Sequence, residues 1–154
     1  SLWDKANVWE VIMSTFTGNC YCGAVEVEVQ GKAIVEAICH CQICRDWSAS
    51  PVNGAALWKP EDVKITKGKE HIKSYAAVVG HDKTWCTICG GHLLTDHSAS
   101  FGVIDVYACI LNDYGFTPSF HINYESTVMP MQDGLPKYKD FPASMGGSDE
   151  RMDE

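Results

Sequence analysis

Seven of the eight cysteines fall in three tight groups. The middle group, Cys39-His40-Cys41-Gln42-Ile43-Cys44-Arg45, places three thiols within six residues. Cys20-Tyr21-Cys22-Gly23 lies upstream of it and Cys86-Thr87-Ile88-Cys89-Gly90 downstream. Thiols this clustered are ill suited to ordinary core packing and well suited to metal ligation. Disulfides are the weaker reading. A Cys-x-Cys ring is small, and side chains at i and i+2 diverge in an extended chain. The start of the chain also lacks the apolar core of a secretory leader, carrying Asp4, Asn7 and Glu10 there. The expected setting is therefore cytoplasmic, where thiols stay reduced and bind metal.

Zinc takes four ligands tetrahedrally in structural sites, with thiolates at ~2.3 Å. Cys86-x-x-Cys89-Gly90-Gly91 reads as a zinc knuckle, its glycine supplying the positive φ that the turn around a metal requires. Cys20-x-Cys22-Gly23 has the same glycine at a tighter spacing. Each pair offers half a tetrahedron, and joining them completes a four-thiolate site. Cys39, Cys41 and Cys44 then remain, and three protein ligands with an open fourth position is the pattern of a catalytic zinc. Spacing alone also permits Cys39 and Cys41 to partner either outer pair. It equally permits a second structural site completed by His40, Asp46 or a distant histidine.

Arg45 follows the middle cluster directly. It is placed to grip a substrate carboxylate bidentately or to balance the site's charge, with a surface ion pair as the plain alternative. His40, between two proposed ligands, should point away from a metal that both neighbours hold. Ser48 and Ser50 are read as helix-capping or substrate-binding hydroxyls, Cys109 as a buried inert thiol in a strand, and His121 as a structural histidine or, less readily, a general base. Trp47, Trp58 and Trp85 are read as core.

The elements that must position these groups are mostly strands. Ala24-Val25-Glu26-Val27-Glu28-Val29 alternates apolar with acidic, the signature of a half-buried strand. Gln30-Gly31-Lys32 should turn it into a second strand, Ala33 to Cys39, as a hairpin. Arg45 to Ser50 suits one helical turn before Pro51. Further strands are expected around Gly54–Trp58, Val63–Thr66, Ile72–Val79, Val103–Ile110 and His121–Tyr124, and Met131 to Pro142 should wrap as a loop. The expected fold class is mainly β, a small irregular zinc-stapled β domain. Its expected organisation is an N-terminal extension over 1–14, a zinc-binding domain over 15–143 and a disordered acidic tail over 144–154. The extension reads either as partly a cloning remnant, with Met13 as a natural start, or as an amphipathic helix presenting Trp3, Val8, Trp9 and Ile12.

The bulk composition bounds the function. The 154 residues are 45% hydrophobic and 21% charged, the balance of a globular domain. The net charge of -8 repels nucleic-acid phosphates, and no apolar run approaches the ~20 residues that span a bilayer.

The ordered set of motifs resembles the glutathione-dependent formaldehyde-activating enzyme family. The resemblance rests on Cys20-Tyr-Cys22-Gly23-Ala24-Val25, on Cys39-His-Cys41-Gln-Ile-Cys44-Arg45 followed by Ser48, and on Cys86-Thr-Ile-Cys89-Gly90. His121-Ile122 and Asp133-Gly134-Leu135-Pro136 extend it, so that it covers Phe16 to Pro142. It implies a zinc-held β fold related to that of methionine-R-sulfoxide reductases and of a guanine-nucleotide-exchange chaperone of small GTPases. It also implies two zinc ions, a structural one on Cys20, Cys22, Cys86 and Cys89 and a catalytic one on Cys39, Cys41 and Cys44. The implied activity is that of a carbon–sulfur lyase adding glutathione or a similar thiol to formaldehyde or a small aldehyde, and in that reading Arg45, by its place beside the cluster in sequence, is expected to orient the thiol. Two departures bear on which substrate fits. Ser48-Ala49 stands where the family often has Ser-Gly, and Glu125-Ser126-Thr127-Val128-Met129 lacks a tryptophan usual there. The alternative is a non-catalytic zinc-stabilised binding module with both metals structural.

Overall fold

The computed structural model describes residues 14–153, so both readings of the N-terminal extension fall outside the described residues. Ten strands follow in chain order: β1 (Thr15–Asn19), β2 (Glu26–Gln30), β3 (Val35–Cys39), β4 (Asn53–Trp58), β5 (Val63–Lys67), β6 (Ile72–Tyr75), β7 (Asp82–Cys86), β8 (His92–His97), β9 (Val103–Val106) and β10 (Phe120–Ile122). The one α-helix among the described residues is Gln42–Ser48. The protein is mainly β, as the alternating runs predict. It divides into two compact units, the first running up to Ile34 and over Ala56–Phe116, the second over Val35–Ala55 and from Thr117 onward.

In the first unit β1, β2 and β5 make a three-stranded antiparallel sheet. The period of two in a strand sends Val25, Val27 and Val29 inward, all fully buried, and leaves Glu26 and Glu28 on the wetter face. Both edges of β2 are thereby taken, so the hairpin expected between it and Ala33–Cys39 does not form. β9, β8, β7 and β6 pair antiparallel in that order, and Leu57 and Trp58 of β4 close the other side of β9. Trp58 is core, as expected, with its indole N–H donating to Gly31 O at 3.1 Å. It packs with Val27, Leu93, Val106 and Tyr114, and each buried aliphatic side chain of this kind contributes about 1.5–3 kcal/mol.

The strand expected to run to Ile110 stops at Val106, and Ala108–Ile110 is a single 3-10 turn. Cys109 consequently sits exposed on that turn and not buried in a strand.

In the second unit β3 and β10 pair in parallel, with Ala37 opposite Phe120 and Cys39 opposite Ile122. The segment after Met131 runs alongside β10, His121 N donating to Pro136 O and Tyr138 N to His121 O. The stretch from Ser144, whose composition reads as a disordered tail, is tied down by particular groups. Asp140 accepts from the N–H and hydroxyl of Ser148. Lys139 N donates to Glu150 O and Met152 N to Lys137 O, and the Arg151 guanidinium lies over the Tyr138 ring.

Asp105 is a buried carboxylate in β9 that accepts from Ala56 N at 2.9 Å. Burial pushes its pKa up to about 7 against the pull of that N–H. The folded form therefore holds the proton more tightly than the unfolded one. The stability this contributes is complete below the ordinary carboxylate range and is lost as pH rises towards 7. Asp105→Asn, which keeps the acceptor for Ala56, is expected to remove a slope of up to about 1.4 kcal/mol per pH unit from the wild-type curve between about pH 4 and 7. Urea denaturation across that range measures it; parallel curves for the two proteins would contradict it.

Candidate metal centres

In the first unit the ligand atoms of Cys20, Cys22, Cys86 and Cys89 all lie within 4.8 Å of one another. Strand ends deliver them. Cys20 follows β1, Cys86 closes β7, and the intervening turns reverse at Gly23 and Gly90, both at positive φ (77° and 74°). These are the glycines read as turn residues from the sequence. The sulfurs of Cys20 and Cys22 are 3.7 Å apart and those of Cys22 and Cys86 3.9 Å. Four sulfurs on a tetrahedral zinc at ~2.3 Å would stand ~3.8 Å apart, so the spacing fits such an ion. Backbone N–H groups turn towards the sulfurs, Val25 N to Cys20 Sγ and Gly91 N to Cys89 Sγ, each at 3.3 Å.

The N–H of Gly91, with help from Cys22, draws the Cys89 pKa down to about 6. At Cys22 the N–H of Ala24 acts in the same direction, but burial and the three neighbouring thiols outweigh it and push the value up to about 11. Burial acts to raise the Cys20 pKa too, but the Val25 N–H and the thiols of Cys22 and Cys86 outweigh it and draw it down, so the group favours some of its thiols ionised and not all four. A divalent cation removes that conflict.

The second unit brings Cys39, Cys41 and Cys44 together, again within 4.8 Å. β3 ends at Cys39. Cys41 then caps the helix, its sulfur accepting from Cys44 N at 3.3 Å, and the first helical turn carries Cys44 back beside it. Crowding by Cys41 pushes Cys39 up to about 11, and crowding by Cys39 and Cys41 together with burial drives Cys44 higher still. Asn123, held in the left-handed region at φ 53°, offers its amide to Cys39 Sγ at 3.6 Å. The helix ends on Ala49, which adopts φ 49°. This is the position where the resembling family often carries glycine, and a Cβ in that conformation is strained.

Among the other residues singled out, Arg45 donates from Nε to His40 O at 3.1 Å, which anchors its guanidinium to the backbone of the residue between Cys39 and Cys41. Ser48 and Ser50 turn to backbone carbonyls, Cys44 O and Val52 O. His40 does point away from the thiols, but into the interior. It is fully buried, as is His121, and the two rings share a 2.8 Å bond between Nε2 and Nδ1. Burial first, then His121 and Lys137, lowers the His40 pKa to about 4.

Thr127 Oγ1 lies 2.9 Å from His40 Nδ1, and Asp133 Oδ2 lies 2.8 Å from His121 Nε2. The second Asp133 oxygen receives the buried Lys137 ammonium at 2.6 Å. Burial acts to raise the Asp133 pKa, but hydrogen bonds from Lys137, His121 and Leu135 N outweigh it and hold the carboxyl below its ordinary range. Asn123, Thr127 and Lys137 carry no local sequence signal for these contacts, and Asp133 enters the sequence reading only within the Asp133-Gly134-Leu135-Pro136 motif of the resemblance, with no role of its own.

The family model for glutathione-dependent formaldehyde-activating enzymes matches residues 15–126. An uncharacterised lyase of Schizosaccharomyces pombe is 30% identical over 82 residues, which cover 51% of this chain and 55% of that protein. The chain thus spans about half the length of that curated relative. A crystal structure of a Rhodobacter sphaeroides protein superposes with a TM-score of 0.54 at 24% identity, covering 64% of this chain and 90% of that one. It shares the fold.

Metal analysis of the purified chain is expected to give two equivalents, one per cluster. Cys41→Ser and Cys86→Ser should each remove one of them. A wild-type chain that holds one equivalent, or a metal content that Cys41→Ser leaves unchanged, would contradict the assignment. Ala49→Gly is expected to raise stability by about 1 kcal/mol by relieving the left-handed alanine, read as a higher midpoint in urea; an unchanged or lower midpoint would show that no strain resides there.

Proposed function

The chain belongs to the glutathione-dependent formaldehyde-activating enzyme family, and from that premise we propose that it is a zinc-dependent carbon–sulfur lyase. It adds glutathione or a similar thiol to formaldehyde or another small aldehyde. The observation that carries this reading is the middle cluster. The sulfurs of Cys39, Cys41 and Cys44 lie together, and no fourth Cys, His, Asp or Glu ligand atom joins them among the described residues. The other cluster supplies four sulfurs and suits a structural zinc. Zinc on the three thiolates would supply an open coordination position and favour an incoming thiol in its thiolate form.

The residues around the cluster serve binding and orientation. Asn123 directs an amide N–H at Cys39 Sγ and so spreads the negative charge of a thiolate there. Arg45 is anchored through Nε to His40 O. A guanidinium held this way suits a carboxylate of the thiol substrate, and glutathione carries two. The reaction forms one bond between the thiol sulfur and the aldehyde carbon, and the thiol proton ends on the former carbonyl oxygen. No redox partner enters. The task for the site is to bring the two reactants together with the thiol already ionised, and such positioning can supply about 7–11 kcal/mol of the barrier.

Exchange NMR of glutathione, labelled formaldehyde and the zinc-loaded chain tests the proposal. The S-hydroxymethyl adduct should interconvert with its reactants faster than without protein, and Cys41→Ser should abolish the excess. Arg45→Gln is expected to lower kcat/KM for glutathione by about 10- to 100-fold, chiefly through KM. A rate equal to the spontaneous one would remove the enzyme for this substrate pair and leave a metal-braced binding module in its place.

A further inference from the structure

We propose that His121 and Asp133 are positioning residues that set the arrangement of Cys39, Cys41 and Cys44 through the imidazole of His40. This rests on the reading of that cluster as a metal site, and it assigns a role to the His121 and Asp133-Gly134-Leu135-Pro136 motifs.

His40 lies between two of the three thiols in sequence, so whatever fixes its ring and its peptide groups fixes the spread of Cys39 and Cys41. It is tied on every side. Its N–H donates to Ile122 O at 3.1 Å, and its carbonyl accepts from Arg45 Nε at 3.1 Å. Its ring is wholly buried and enters a chain of hydrogen bonds that runs Thr127–His40–His121–Asp133–Lys137, with heavy-atom distances of 2.9, 2.8, 2.8 and 2.6 Å.

With both rings neutral, every bond in this chain has a single allowed direction. The Asp133 carboxylate accepts only, so His121 carries its proton on Nε2. His121 Nδ1 is then an acceptor and must receive the N–H of His40 Nε2. His40 Nδ1 is left as an acceptor and receives the Thr127 hydroxyl. One carboxylate therefore dictates the tautomer of both rings, and a flipped His40 would set a donor or a carbon against the wrong atom. The Tyr124 ring packs edge-on against both imidazoles, at 4.8 and 5.7 Å between centroids.

The far end of the chain is built as firmly. Gly134 turns at φ 74°, Leu135 N donates to Asp133 Oδ1, and Lys137 Nζ bonds both that oxygen and Leu135 O while only 2% exposed. His121 N donates to Pro136 O, so the turn that holds the carboxylate also holds the backbone of the histidine it orients. His121 and Thr127 bond to the His40 ring, and Asp133 bonds to His121. Their influence passes through His40, as outer partners of metal ligands commonly act at one remove.

The test reads metal affinity on the full chain by competition with a chromogenic zinc chelator. Cys41→Ser marks which equivalent belongs to the middle cluster. His121→Leu and Asp133→Asn are each expected to weaken that equivalent by roughly 10- to 100-fold and to leave the equivalent held by Cys20, Cys22, Cys86 and Cys89 unchanged. His121→Asn, whose amide oxygen can still accept from His40 Nε2, should weaken it less than His121→Leu. A role in packing alone predicts the reverse order, because leucine suits the buried site better. Wild-type affinity in both His121→Leu and Asp133→Asn overturns the proposal, and so does a leucine variant that binds as well as the asparagine variant. The readout is binding and not turnover. Absence of lyase activity would leave the proposal standing, whereas unchanged affinities beside normal turnover would overturn it alone.

Discussion

Sulfur crowding is the constraint on which the rest of the structure depends. Seven thiols are gathered into two groups, each so close that its members cannot all ionise together. Left as thiols they would waste buried space on weak hydrogen bonds; as bare thiolates they would repel. A thiophilic divalent ion would resolve both problems, and its binding free energy would then become part of the folding free energy of each unit. The small size of the two hydrophobic clusters fits this division of labour. Among the described residues the smaller cluster, in the second unit, has Ala37, Cys39 and Ile122 as its buried members.

Both clusters use the same local construction. A strand runs into a cysteine, the chain reverses, and N–H groups exposed by the reversal turn back onto sulfur. In the first unit glycines with positive φ make the turn; in the second a helix start does, with Cys41 as its cap. The difference lies in how many sulfurs result and in what surrounds them. The four-sulfur group sits in a strand-rich unit with the larger core. The three-sulfur group is hung on a short parallel pair and braced by a buried polar chain, where hydrogen bonds take over the ordering that apolar packing does elsewhere.

Much of this was legible in the sequence, for a physical reason. Ligand spacing and strand alternation are local signals. The three cysteine groups, the glycines behind them and the alternation of Val25, Val27 and Val29 can all be read within a few residues. What failed was non-local or hung on one side chain. The partner of β2 could not be read because β1 and β5 compete for its edges from far away in sequence. Cys109 was misplaced because a 3-10 turn after Tyr107 ends a run that looks like continuous strand. The stretch after Ser144 has a disordered composition, yet one carboxylate, Asp140, and one guanidinium, Arg151, tie it down. The chain from Thr127 to Lys137 by way of His40 spans almost a hundred residues at no fixed spacing, so only the fold assembles it.

The account stands on a metal in the middle cluster that can accept one more sulfur. X-ray absorption at the zinc edge measures this directly, because it counts sulfur neighbours. With both clusters loaded, the average should be about 3.5 sulfurs per zinc and should rise to about 4 when glutathione is added. An average that already stands at about 4 without glutathione, or one that glutathione leaves unchanged, would contradict the account.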